Sequence, residues 1–454
     1  MFMIEDISIP MLILSILAGY LLGIVSGLIP GIHTNNFALM LVALSPILGE
    51  YGISPMYAVV VILSNSITHT FHDIIPAVFL GAPNDDMALA VLPGHRLLLD
   101  GYGAEAIRLS AIGSAGSVAF SLILAIPLVT AFSRAYPIMQ EYMGWILLSI
   151  SLLMIITETG EHVIGQGSLA HYRYKFYALI LFIISGLLGV FAFRTEYLME
   201  PFIDLGSASI LLPLLSGLFG ASQLVISLFS GSHIPDNNIS RMELSSRRIV
   251  RGIITGSAAG SVVAWLPGIS SSIATVLARL FIRSNFDTTD GLHDNRGYGD
   301  DDDEEQMNSS KEFIVSVSGV NTSNAIFGLF ALAAIGKTRS GAMVAVDKLV
   351  DAASFDTSMI ILLLLVILVA ALLSYFSTVA IGNNIHHLLS RINYSSLCIG
   401  VVVGLALMVL AFTGVFGLLV FLIAIPIGMF APFMKIRRTH AMGVILLPVI
   451  LYFI

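Results

Sequence analysis

The stretch SNSITHTFHD, residues 64 to 73, follows the apolar run MYAVVVIL and carries two imidazoles and a carboxylate. Helical periodicity puts Asn65, Thr68, His69 and His72 along one face, with Asp73 beside it. Ionisable groups at membrane depth cost roughly 2.5–3.5 kcal/mol each on insertion scales, so they face a cavity or one another. Three chemistries are open. His72 and Asp73, with His69 adjoining, form a proton-coupling group, or the stretch is polar packing between helices, or it holds a metal. The last has the least support, because His-x-x-His-Asp lacks the i, i+4 histidine pair and glutamate of a zinc hydrolase.

A second set of polar residues follows a helix break. In GLIPGIHTNN (27 to 36), Pro30 and Gly31 precede His33, Asn35 and Asn36. Proline removes a donor and clashes with the preceding turn, and glycine accepts the dihedrals of a reversal. A helix that restarts there points free N–H groups at its surroundings, which suits a carboxylate or phosphate. Pro267 and Gly268 precede Ser270, Ser271 and Ser272 in the same way. The alternative for both is a polar surface loop. Asn321 and Asn324 lie in SGVNTSNAIF, and Lys337 and Arg339 lie between FGLFALAAI and SGAMVAV. The two cations either attract an anion or anchor a loop at the lipid surface. Asp85 and Asp86 in PNDD are either a sodium or proton site or a plain turn. NNIHHLLSR (383 to 391) is expected to be an interfacial loop.

The elements that must position these groups are membrane helices. Of 454 residues, 57% are hydrophobic and only 11% charged, where soluble domains carry about 25%; the mean hydropathy is +0.93. Apolar runs of spanning length, roughly 20 residues, recur throughout, and the alternating strands of a barrel are absent. The expected fold is an all-α polytopic membrane protein of about ten to twelve hydrophobic segments, some broken or re-entrant, in the cell membrane. The N-terminus carries Glu5 and Asp6 where a secretory signal needs basic residues, so it reads as a first membrane helix. A single cysteine, Cys398, excludes an intrachain disulfide and a multi-thiolate metal site. Nothing in the sequence calls for a cofactor or nucleic acid, and no P-loop supplies ATP hydrolysis.

An internal repeat organises the chain. GYLLGIVSGLIPGI (19 to 32) aligns with GSAAGSVVAWLPGI (256 to 269), so that Gly19, Gly23, Pro30 and Gly31 fall on Gly256, Gly260, Pro267 and Gly268. The glycines four apart permit close helix packing. Residues 64–94 and 318–346 echo one another more weakly. Paired interrupted segments in two halves mark the binding site of secondary transporters. The expected division is residues 1–240 and 241–454. Arg241, Arg247, Arg248 and Arg251 put the second half's start in the cytoplasm, whereas the acidic first start lies outside, which makes the repeats inverted. MKIRRTH (434 to 440) is then expected to be cytoplasmic. The acidic run at about 284–312 is expected to be a solvated, disordered linker.

GLFGASQLVIS (217 to 227), followed by SRRIVRGIITGSAAGSVVAWLPGISSSIATVLA (246 to 278), resembles the TctA family, the large membrane subunit of tripartite tricarboxylate transporters. The block FLGAPNDDMALAVLPGHRLLLDGYGAEAIRLSAIGS resembles that family's first half. Where the family carries a second-half Pro-Glu-Ala-Ala-Asn-Asn block, this chain has Val320 to Ala325. Where it has a second Pro-Gly turn, this chain has Lys337 and Arg339. The chain looks like a divergent branch similar to TctA-like proteins of archaea. The resemblance implies a permease rather than an enzyme, coupled to protons or sodium and moving a small organic anion, a carboxylate. It also implies a small membrane subunit and a binding protein as partners. The competing reading is a translocase for polyprenyl-phosphate or a similar anionic lipid. A third, an intramembrane hydrolase built on His69, His72 and Asp73, lacks a nucleophile elbow or metal signature.

Overall fold

The computed structural model describes residues 7–29, 34–81, 85–158, 170–203, 210–230, 244–265, 271, 274–276, 278, 300–338, 340–350, 355–389 and 394–454. Among them there is no strand. The helices are α1 (Ile9–Leu28), α2 (Thr34–Glu50), α3 (Pro55–His72), α4 (Ile74–Leu80), α5 (Val91–Leu99), α6 (Gly103–Glu141), α7 (Met143–Ile156) and α8 (Ala170–Arg194). They continue as α9 (Leu211–Leu215), α10 (Ser222–Ser230), α11 (Ser246–Val263), α12 (Asp300–Ile335), α13 (Gly341–Leu349), α14 (Thr357–Leu389), α15 (Tyr394–Met434) and α16 (Gly443–Phe453). Eight helical segments among the described residues are long and apolar enough to cross a membrane, and three shorter apolar helices accompany them. The chain is an all-α polytopic membrane protein.

Two helices form the centre. The apolar windows of Pro55–Leu80 and Glu304–Ile335 are each 89% buried, against 33% for α1 and α14. Polar side chains are confined to the interior of such a bundle, because lipid offers no hydrogen-bond partner; among the described helices α3 and α12 carry the largest numbers of buried ones. On α1, by contrast, Ile13, Leu14, Leu17 and Leu21 face outward.

The glycines of the internal repeat perform the same task twice. A Cβ at Gly19 would strike the Val61 carbonyl, and one at Gly23 would strike Thr68 and the Asn65 carbonyl. In the second half Gly256 meets the Ser316 carbonyl, and Gly260 meets Ser323 and the Val320 carbonyl. Residues 61, 65 and 68 thus stand where 316, 320 and 323 stand, at one constant offset. Glycine lets α1 lie on α3, and α11 on α12, at backbone contact. The long partners are exchanged between halves: α6 packs along α11 and α12, and α14 along α1 and α3.

Several expectations need correction. Residues 300–312, expected in a disordered linker, are the first three turns of α12. A run of carboxylates is stabilised at a helix N-terminus by the free N–H groups there, and Glu305 pairs with Arg248. Residues 383–389, expected in an interfacial loop, continue α14. Within MKIRRTH, Arg438 and His440 are buried. The buried Glu158 carboxylate accepts the Arg437 backbone N–H at 3.2 Å and lies 2.7 Å from His440 Nε2.

Candidate functional site

Pro76 shapes the site. It occupies the third position of α4, where it supplies no N–H and its ring conflicts with the carbonyl one turn back, that of His72. The helix therefore ends at His72, and Asp73 is the joint between α3 and α4. Asp73 is fully buried, and its Oδ2 accepts a hydrogen bond from Asn321 Nδ2 of α12 at 2.7 Å. His69 Nε2 lies 3.8 Å from the same oxygen. The other ring nitrogen, His69 Nδ1, is 3.0 Å from Ser26 Oγ of α1, which is itself 3.1 Å from Asn65 Oδ1.

The face read from periodicity divides in two. Asn65, His69 and Asp73 bond toward α1 and α12, whereas the Thr68 hydroxyl and the His72 Nε2 bond toward α14. Ser374 Oγ donates to Thr68 Oγ1 at 3.0 Å, and His72 Nε2 lies 2.9 Å from Ser377 Oγ. His72 Nδ1 is 2.8 Å from the Thr68 carbonyl, which only accepts, so Nδ1 carries a proton. The two imidazoles thus serve different neighbours and do not converge, which leaves the metal reading without a geometry. His72 also does not pair with Asp73; His69 does, because residues four apart meet on a helix.

The polar stretch of α12 meets that of α3 directly. Besides Asn321 on Asp73, Thr322 Oγ1 lies 3.0 Å from Thr70 Oγ1. Asn324 Nδ2 donates to Ser271 Oγ at 2.9 Å, and Ser271 is buried. At the offset that carries 61, 65 and 68 onto 316, 320 and 323, His69 and Asn324 are counterparts. Two equivalent segments therefore cross through hydroxyls, amides and one carboxylate instead of interlocking apolar side chains.

The remaining predicted residues are described only in part. Pro30, Gly31, His33, Pro267, Gly268, Ser270, Ser272 and Arg339 lie outside the described residues. Asn35 and Asn36 belong to the first turn of α2, and Asp85 and Asp86 open a short 3₁₀ turn. Lys337 is exposed just beyond the end of α12, after Gly336 in the left-handed region with φ 62°. The fourteen residues from Asn321 to Ile335 put it roughly 20 Å along the helix from the crossing.

Sequence reasoning missed Ser26, Thr322, Ser374 and Ser377. Ser374 and Ser377, spaced by three in an apolar helix, offered a signal; Ser26 gave none apart from preceding Pro30 by one turn. It also missed Glu105 and Lys311, a buried ion pair at 3.0 Å between α6 and α12. A third feature is the π-helical turn Ser216–Ala221, which contains the Gly-Leu-Phe-Gly segment and packs against α15.

A buried polar crossing of two repeated helices in a lipid-facing bundle is the architecture of a membrane transporter. The sequence profile described as "Tripartite tricarboxylate transporter TctA family" matches residues 13–443, and the chain belongs to that family. An uncharacterized protein of Methanocaldococcus jannaschii is 25% identical over 460 residues, spanning 97% of this chain and 99% of that protein. No solved structure matches.

Proposed function

We propose that this protein is a secondary transporter of the cell membrane that moves a small organic carboxylate by alternating access between its two inverted halves. The observation that carries the reading is the α3–α12 crossing, held by Asp73 with Asn321 and Thr70 with Thr322. Polar pairs can separate and take other partners, whereas interdigitated apolar surfaces lose their contacts outright. Asn321 and Asn324 line the crossing as amide donors for an anion. The segments restarting after Pro30-Gly31 and Pro267-Gly268, with His33, Asn35, Asn36 and Ser270 to Ser272, supply further donors. Lys337 and Arg339 draw the anion from solvent. Protons or sodium drive the cycle through His69, His72 and Asp73 or through Asp85 and Asp86. A small membrane subunit and a binding protein complete the assembly that the family's description implies.

The test is a binding panel on the purified chain in nanodiscs, setting citrate and smaller di- and tricarboxylates against a short-chain polyprenyl phosphate. Saturable carboxylate binding that falls at least tenfold in Asn321→Ala and Asn324→Ala is expected. Binding of the polyprenyl phosphate alone selects the lipid translocase instead.

A further inference from the structure

We propose that the coupling ion is a proton, held one at a time between His69 Nε2 and Asp73 Oδ2, and that Ser26 is the positioning residue whose hydroxyl reverses direction when the proton arrives. The inference rests on the transport reading above, and its basis is hydrogen-bond counting at four buried groups. Ser26 has one proton and three neighbours that can receive it: Asn65 Oδ1 at 3.1 Å, the Gly23 carbonyl at 3.2 Å and His69 Nδ1 at 3.0 Å.

Two arrangements satisfy this geometry. In the first, Ser26 donates to His69 Nδ1, the ring proton sits on Nε2 and faces ionised Asp73, and the pair carries one negative charge. In the second, Ser26 donates to Asn65 Oδ1 or the Gly23 carbonyl, so Nδ1 must be an N–H donating to Ser26. A neutral ring would then set a bare Nε2 lone pair against a carboxylate oxygen. One added proton between them removes the conflict, either as imidazolium with carboxylate or as imidazole with carboxylic acid. The two states differ by one proton taken from water, which forms the Nδ1–H bond; in the carboxylic acid form the Nε2 proton also passes to Oδ2.

The side chains bonded to this stretch include Ser26 from α1, Asn321 and Thr322 from α12, and Ser374, Ser377 and Thr378 from α14, all of them uncharged. His72 is the other imidazole on α3, and neutral His72 is already satisfied by the Thr68 carbonyl and Ser377. Asp347 and Lys348 of α13 are exposed, and α4 carries no titratable residue.

The consequences reach both halves of the transporter. Asn321 donates to the same Asp73 oxygen, and a hydrogen bond to a carboxylate is roughly twice as strong as one to its neutral form. In the carboxylic acid form, loading the proton therefore loosens the α3–α12 crossing, and unloading tightens it. On the other side, Ser26 lies in the last turn of α1, immediately ahead of the Pro30-Gly31 break. Proton binding thus acts on the helix end at which the anion is proposed to sit.

The experiment needs no transported substrate. The purified chain, labelled with ¹⁵N-histidine and reconstituted in nanodiscs, is titrated from pH 9 to pH 5 by NMR. The His69 signals are assigned by their loss in His69→Gln. His69 is expected to be the Nε2–H tautomer at high pH and to gain an Nδ1–H signal as the pH falls. Ser26→Ala leaves the loaded ring's N–H without an acceptor, and hydrogen bonds to charged groups outweigh neutral ones; proton affinity is expected to fall about tenfold, with Ser26→Thr restoring it. His69 showing one unchanging tautomer across the range, or a Ser26→Ala titration identical to wild type, overturns the proposal. Carboxylate binding measured on the same samples separates the two readings: a fixed His69 tautomer with intact carboxylate binding sinks the proton site alone.

Discussion

Single residues in this protein act through the charge they meet. Lys311 and Glu105 are both buried, 3.0 Å apart, with the Lys311 ammonium 4.4 Å from the centre of the Tyr102 ring. The next residue, Glu312, receives the guanidinium of Arg251 in a two-point contact, with Arg248 Nη1 3.6 Å away. Adjacent residues of opposite sign thus tie α12 in two directions, to α6 of the first half and to α11 of its own. Removing one partner of a buried pair leaves an uncompensated charge, at a cost of about 3–5 kcal/mol. Lys311→Met is therefore expected to lower thermal stability sharply in detergent, and adding Glu105→Gln to recover most of the loss. A double variant no more stable than Lys311→Met would show that the pair does not act as a unit. None of this was legible beforehand, because Lys311 and Glu312 close an acidic run whose composition reads as solvated.

At the scale of elements, Pro76 decides where α3 stops; helical spacing brings Asp73 to His69, and the joint at Asp73 is where α3 meets Asn321 of α12. Pro76→Ala restores the missing N–H and relieves the clash with the His72 carbonyl, so α3 and α4 are expected to merge. Replacing proline inside a helix favours the helix by up to about 3 kcal/mol, so the melting temperature is expected to hold or rise. Proteoliposome uptake of a carboxylate that the chain binds is expected to fall at least tenfold, because the joint that sets Asp73 against Asn321 is lost. Uptake at the wild-type rate would mean that the joint is dispensable. The helical face was readable from the spacing of Asn65, His69 and Asp73. Which neighbour each side chain serves was not, since periodicity orders residues around one helix and says nothing of the helices beside it.

The whole molecule is interleaved rather than divided. The repeats read from the sequence suggest a division near residue 240, yet α6 lies on α11 and α12, and α14 lies on α1 and α3. Each half thus leaves its central polar helix without cover when the other is missing, and unpaired polar groups facing lipid cost several kcal/mol each. Residues 1–240 and 241–454 expressed separately are expected to aggregate on extraction, and co-expressed to form one monodisperse particle. Either fragment behaving as a monodisperse species alone, by size-exclusion chromatography, would contradict the exchange of helices between halves.

Composition and periodicity alone determined that this chain is a helical membrane protein with repeated glycine-lined helices, because the bilayer demands long apolar segments and internally satisfied backbones. The glycine spacing marked where helices touch at backbone distance, and the offset between repeats was countable on the sequence itself. The tertiary structure decided the rest. It paired Asp73 with Asn321, which stand far apart in the chain, turned His72 away to Ser377, and made the acidic run the start of α12. Those outcomes depend on which helices from opposite halves come to lie against each other, and long-range packing of that kind leaves no periodic trace in the sequence.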